Sequence, residues 1–183
     1  LINEVLDMSK IESGRLILSE DEFNIGELLQ DLVVMMQSEI KNKQQTLDIH
    51  VKGLKHENVT GDIQRIKQVL MNILSNAVKY SQENGQITID INEKVTWDGF
   101  GDYEFVFEDN GRGMTEAQIR DLLGSREKKT KGLSAVGVPN VKERLELYYG
   151  EKGGMKYDSS SNGTIVTVFL PAIYDIPEEG RKS

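Results

Sequence analysis

The sequence predicts an α+β fold, a two-layer α/β sandwich with helices on one face of a mixed, mostly antiparallel sheet. Three observations carry that expectation. Segments 25–43 and 63–81 repeat apolar residues at helical spacing. Segments 86–92 and 103–108 alternate apolar and polar residues with the period of a strand, and 155–158 and 164–170 read as two further strands. Asn84-Gly85 is a turn signal that leads into the strand at 86–92, and Asn162-Gly163 is the turn flanked by the last two strands.

Taken in order, residues 1–13 carry Ile2, Val5, Leu6, Met8 and Ile11 at helical spacing and then meet Gly14, a helix terminator. No start signal precedes them, so the segment reads as the tail of a longer helix. Residues 15–23 read as extended. Asn24, with Glu27 three positions on, caps a helix from about Ile25 to Lys43. Thr46 to Val51 alternates like a strand, and Val59-Thr60 is a short second one. Asp62 caps the next helix, which presents Ile63, Ile66, Leu70, Ile73, Leu74 and Ala77 on one face and ends near Ser81. After the strand at 86–92, residues 98–102 form a loop or hairpin turn that leads into the strand at 103–108. Thr115 and Gln118 make a capping box for a short helix to about Leu123. Residues 124–136 lack periodicity and read as a loop. Pro139 opens a helix to about Tyr149, with Val141, Leu145 and Tyr148 on one face. After the last strands, Pro171 is expected to end the fold, leaving a flexible tail from 172 to 183.

Composition narrows the function classes. At 183 residues, with 38% hydrophobic and 28% charged content, the chain reads as one globular domain with an appendage at most. No apolar run approaches the roughly 20 residues of a membrane span. Absence of cysteine excludes disulfides and thiolate metal sites, and two histidines leave little for zinc. A net charge of -8 argues against nucleic acid as the main partner. Positive charge is instead local, in Arg126, Lys128, Lys129 and Lys131.

Three short segments carry chemistry. Asn72 and Asn76 lie four residues apart, so their carboxamides share one helix face, with Lys79 and Tyr80 one turn further on. Two carboxamides, an ammonium and a phenol opposite a core stripe suit an anion and its metal. Asp109-Asn110-Gly111-Arg112-Gly113-Met114 follows a strand directly; its glycines permit a tight turn and close backbone approach, and its aspartate can accept from an exocyclic amine. It also fits a plain strand-to-helix turn. Glu116 stands where a dinucleotide-binding fingerprint needs a third glycine, and 124–130 lacks the second glycine of a P-loop. Gly137-Val138-Pro139-Asn140 opens a helix whose free N–H groups form a ready anion site, or an ordinary helix start. His50 and His56 read as structural or surface residues.

In order and spacing these segments resemble the ATP-binding domain shared by sensor histidine kinases, gyrase, MutL and the large heat-shock chaperones, the GHKL superfamily with its Bergerat fold. Within it the chain is similar to a two-component sensor histidine kinase. The N box would be 68–81, the first glycine box 109–114 and the second about 132–141, while Asn3 to Gly14 resembles the end of the dimerisation hairpin. The resemblance implies that Asn76 contacts Mg2+, that Asn72 sits beside metal and triphosphate, and that Lys79 meets phosphate. Tyr80 would flank the nucleotide, and Asp109 would read the adenine amine, with Gly111, Gly113 and Met114 lining the base pocket. Gly137 and Val138 would approach the phosphates, and Thr164 would reach the base through its hydroxyl. The basic loop 126–131 would be an ATP lid. Two departures stand out: 115–136 contains no phenylalanine, and Ala135 and Val136 thin the second glycine box.

The implied organisation is 1–14 as the end of the phosphoacceptor helix, 15–171 as the catalytic ATP-binding domain and 172–183 as tail. The implied activity is protein-histidine kinase, positioning Mg-ATP for γ-phosphoryl transfer to a histidine upstream of Leu1, in a cytoplasmic domain. The implied partners are its own dimerisation domain and a response regulator receiver domain, the parent being a homodimer and this fragment monomeric. The alternatives are a degenerate kinase domain that binds nucleotide and signals by shape, or another ATPase or kinase of the same superfamily.

Overall fold

The computed structural model describes residues 19–97, 100–118, 141–142, 145–146 and 148–174. Their elements in chain order are β1 (Asp21–Asn24), α1 (Ile25–Asn42), β2 (Thr46–Lys52), β3 (Asn58–Gly61), α2 (Ile63–Tyr80), β4 (Gln86–Trp97), β5 (Phe100–Asp109), β6 (Gly154–Ser160) and β7 (Gly163–Tyr174). Residues 116–118 and those described between 141 and 149 are helical. The expected first helix, the basic loop and the Gly137-Val138 helix start lie outside the described residues.

The seven described strands make one sheet in the order β1-β3-β7-β5-β4-β2, with β6 on the second edge of β7. Only the β2–β4 pair is parallel; the others are antiparallel. The α+β sandwich is therefore the observed class.

Both long helices start where the sequence places a cap. Asn24 accepts the Glu27 N–H at 3.1 Å, and Asp62 accepts the Arg65 N–H at 3.0 Å. Each satisfies a donor that the first helical turn otherwise leaves unpaired. Strand alternation then sends Ile87, Ile89 and Ile91, Tyr103, Phe105 and Phe107, and Val166, Val168 and Leu170 to one face. There they pack with Leu28, Leu32 and Met36 of α1 and Ile66, Leu70 and Leu74 of α2. Val69 and Val78 join the buried stripe of α2, while Ile63 is half-buried at its edge. Val141 and Leu145 belong to the same core.

The largest departures from the sequence reading come where strand pairing runs past the alternating pattern. The β4–β5 hairpin is longer than its alternating cores, because Glu93 to Val95 pair with Tyr103 to Gly101 past the last clearly apolar position. Pro171 does not end the fold. It pairs with Asp102, and β7 runs on to Tyr174. The last β6 partner of β7 is Phe169 and the first β3 partner is Ile173, so one edge of β7 is bare at Pro171. A residue without an N–H is tolerated at such a gap.

At the sheet end away from the functional residues, Glu93 organises the loop before β3. Its carboxylate takes His56 Nδ1 at 2.5 Å and the backbone N–H groups of Lys55 and His56 at 2.5 and 2.9 Å. Burial opposes ionisation there, but these donors prevail and hold the Glu93 carboxyl below its ordinary value. His50 is likewise paired, with Asp90 at 3.1 Å. No helix among the described residues is long and apolar enough to cross a membrane.

Candidate nucleotide site

The apolar alternation of three strands ends in polar residues at the same end of the sheet. Phe107, Val166 and Tyr157 are register partners, and in the next row on that face stand Asp109, Thr164 and Ser159. Asp109 thus continues the stripe Tyr103, Phe105, Phe107 and puts a carboxylate at a core position, only 8% exposed. Above these rows α2 presents Ile73, Asn76, Ala77 and Tyr80, and between helix and sheet lies a cavity of about 230 Å³. Arg112, Gly113, Met114 and Gln118 complete its wall.

Burial pushes the Asp109 carboxyl above the usual carboxylate range. The Gly111 N–H, 2.8 Å from Oδ1, pulls it back, the neighbouring Glu108 charge raises it further, and the Thr164 N–H lowers it. Tyr157, on the cavity floor, is raised by burial first and then by the Asp109 charge, so it stays a neutral phenol at any physiological pH.

The wall after Asp109 depends on two glycines. Gly113 has a φ of 63°, and a Cβ there would run into the Ser160 carbonyl. Gly163 has a φ of 139°, and a Cβ would run into the Asp109 carbonyl. The turn at 110–114 and the β6–β7 turn therefore interlock backbone to backbone. Ser159 Oγ fastens them: it accepts the Met114 N–H at 2.8 Å, donates to the Gly163 carbonyl at 3.1 Å and meets Thr164 Oγ1 at 2.9 Å. Thr115 and Gln118 form the reciprocal capping box, at 2.8 and 3.2 Å.

Of the residues singled out from sequence, the cavity brings together Asn76, Tyr80, Asp109, Gly113, Met114 and Thr164. Gly111 stands behind it, where an added Cβ would lie 2.8 Å from the Tyr80 carbonyl. Asn72 is half-buried one turn back on α2 and is not among the lining residues. Lys79 is exposed, its Nζ 5.1 Å from the centre of the Tyr80 ring, and shares with Asn76 a second depression beside the first. Gly137 and Val138 lie outside the described residues. Phe107, Arg112, Gln118, Tyr157 and Val166 also line the cavity and Ser159 fastens its wall, though the sequence marks none of them as a site residue. The strand alternation that carries Phe107 to Asp109 and Tyr157 to Ser159 was a signal for four of them.

No group of three His, Cys, Asp or Glu side chains among the described residues could hold a metal ion. A divalent ion here would rest on the Asn76 carboxamide oxygen and on oxygens brought by its ligand, a donor set that suits Mg2+.

A model of the histidine kinase-, DNA gyrase B- and HSP90-like ATPases matches residues 61–173. The chain belongs to this ATPase family. The matched stretch holds all of α2 and every residue lining the cavity. Among curated relatives of this ATPase domain, the sensor histidine kinase GacS of Pseudomonas protegens is 29% identical over 98% of the chain and 20% of its own length. The chain thus spans about a fifth of the first relatives it matches. Among solved structures, full-length ShkA in complex with AMPPNP superposes with a TM-score of 0.72 at 20% identity, over 96% of this chain and 36% of that one. The histidine kinase ThkA, solved in complex with the response regulator TrrA, gives 0.64 at 22% identity, over 98% of this chain and 50% of that one. At such identities these two likenesses concern the fold.

Proposed function

We propose that the domain holds Mg-ATP between α2 and the sheet and positions its γ-phosphoryl group for transfer to a histidine, as the catalytic part of a two-component sensor kinase. The observation that carries this reading is the buried Asp109 carboxylate facing the Asn76 carboxamide across one cavity. A carboxylate held in an apolar recess by two backbone N–H groups has acceptor capacity left for an exocyclic amine, as adenine has and a guanine ring lacks at that position. At about 230 Å³ the cavity lies below the roughly 300–1,000 Å³ of a whole-ligand pocket, so it takes the base and leaves the phosphates to run along α2.

In this reading Gly113, Met114 and Thr164 line the base, and Gly111 supports the turn from behind. Tyr80 flanks the nucleotide. Asn76 gives its oxygen to magnesium, Asn72 stands beside metal and triphosphate, Lys79 meets phosphate, and Gly137 and Val138 approach the phosphates as well. Magnesium supplies charge neutralisation on the phosphate oxygens when bound. The residues of this chain supply position: neutral carboxamides offer oxygen without repelling a polyanion. The accepting histidine lies elsewhere in the parent protein, because His50 and His56 are engaged with Asp90 and Glu93 and neither lines the cavity. An organisation into 1–14, a catalytic domain from 15 to the end of β7 and a tail, a homodimeric parent, a domain monomeric on its own, a cytoplasmic setting and a response regulator as receiver follow from the same reading.

Titration of a fluorescent ATP analogue with and without Mg2+ tests it. Saturable binding that magnesium strengthens in wild type, with the magnesium dependence lost in Asn76→Ala, is the expected result. No saturable binding by the wild type sinks the proposal.

A further inference from the structure

The C-terminal end of α2, which carries Lys79 and Tyr80, has no glycine cap. The last carbonyls of a helix lack intrahelical partners and form its negative end. Here two side chains from the turn between α1 and β2, more than thirty positions earlier, take them. Lys43 Nζ donates to the carbonyls of Val78 at 2.9 Å, Lys79 at 2.7 Å and Ser81 at 3.0 Å. An ammonium has three N–H donors, and these three contacts use all of them. The buried Gln45 adds Nε2 contacts to Val78 at 3.1 Å, Ser81 at 3.3 Å and Gln82 at 3.1 Å. Between the two, Gln44 takes a φ of 54°, a left-handed conformation uncommon for a residue other than glycine. That turn brings Lys43 and Gln45 to the same helix end.

On its other side the same helix end meets the Asp109 turn, where the Tyr80 carbonyl closes on Gly111. Lys43 also lines the depression that holds Asn76 and Lys79. The last turn of α2 is therefore clamped between the Lys43 turn and the Asp109 turn, and its rotation sets where Asn76, Lys79 and Tyr80 point.

We propose that Lys43 is a positioning residue of the nucleotide site: its ammonium binds the α2 terminal carbonyls, not the ligand, and thereby fixes the helix turn that meets the phosphates. This rests on the Mg-ATP reading above. Gln45 acts with it as the neutral half of the clamp.

The test compares ATP affinity and melting temperature in wild type, Lys43→Met, Lys43→Arg and Glu93→Gln, the last serving as a control that loosens the sheet far from α2. Lys43→Met is expected to weaken ATP binding about tenfold. Lys43→Arg, which keeps a cation with several donors at the helix end, is expected to bind closer to wild type than to Lys43→Met. Glu93→Gln is expected to lose stability while keeping wild-type affinity. Unchanged affinity in Lys43→Met overturns the inference while leaving the Mg-ATP reading standing. Equal weakening in Lys43→Met and Glu93→Gln at equal loss of melting temperature overturns it as well, since the effect is then general loosening. Lys43→Arg binding as weakly as Lys43→Met removes the charge-based clamp. Absence of ATP binding by wild type overturns both proposals at once, through the site itself.

Discussion

Replacing Asp109 by asparagine separates what the carboxylate does for ligand from what it does for the fold. Oδ1 already accepts the Gly111 N–H at 2.8 Å and the carboxylate also takes the Thr164 N–H, but two carboxylate oxygens offer about four acceptor positions, which leaves capacity for an amine in the cavity. Asparagine keeps the shape but has one acceptor oxygen. With that oxygen held by Gly111, its NH2 group faces the ligand amine donor to donor. The loss is one hydrogen bond to a charged, buried acceptor, about 1.5–3 kcal/mol, or roughly 10- to 150-fold in Kd. Stability should move the other way. The Asp109 pKa is raised in the fold, mainly by burial, so its contribution is fully present below its ordinary value of 3.8 and is lost as pH rises through the folded value. At neutral pH a neutral isostere is expected to melt no lower than wild type. Isothermal titration with Mg-ATP and thermal melts at pH 7 check both halves. Binding within twofold of wild type refutes the amine-reading role, and weak binding together with a large drop in melting temperature refutes the separation of roles.

Three further outcomes follow from the geometry. Gly113→Ala forces a left-handed φ on alanine and drives its methyl into the Ser160 carbonyl, so destabilisation should exceed the roughly 1–2 kcal/mol of the backbone strain alone, measured by urea melts, with loss of nucleotide binding. Asp62→Ala removes the α2 cap and the acceptor of the Ser19 N–H at 3.1 Å, and should lower stability by about 1–2 kcal/mol in the same assay. Glu93 has a depressed pKa, so its contribution is present above its ordinary value of 4.5 and is lost as pH falls below it. Glu93→Gln should therefore flatten the fall of melting temperature on acidification, and an unchanged acid limb would contradict the role given to its His56 and backbone contacts.

Local chemistry made much of this legible. Asn24 and Asp62 mark their helices because a cap needs only residues three positions away, and the alternation through Phe107 marks its strand because period and burial go together. The same alternation, followed two residues further, carries Asp109 onto the core face. Boundaries failed where pairing outlasted pattern: β4 and β5 extend through charged residues because each has the other as partner, and β7 passes Pro171 because one of its edges is bare at that point.

Helix faces, strand faces and caps are decided within a few residues, so the class of fold, the order of its elements and the groups able to meet a nucleotide can be read along the chain. Tertiary structure alone decided which of those groups share a space. It put Asn76 and Tyr80 on the Asp109 cavity, set Lys79 in the neighbouring depression and left Asn72 a turn away. It also brought Tyr157 onto the cavity floor and Lys43 onto a helix end some 35 positions ahead. The reason is that strand register and helix docking are long-range choices, made by the whole core at once, and no short window of the chain encodes them.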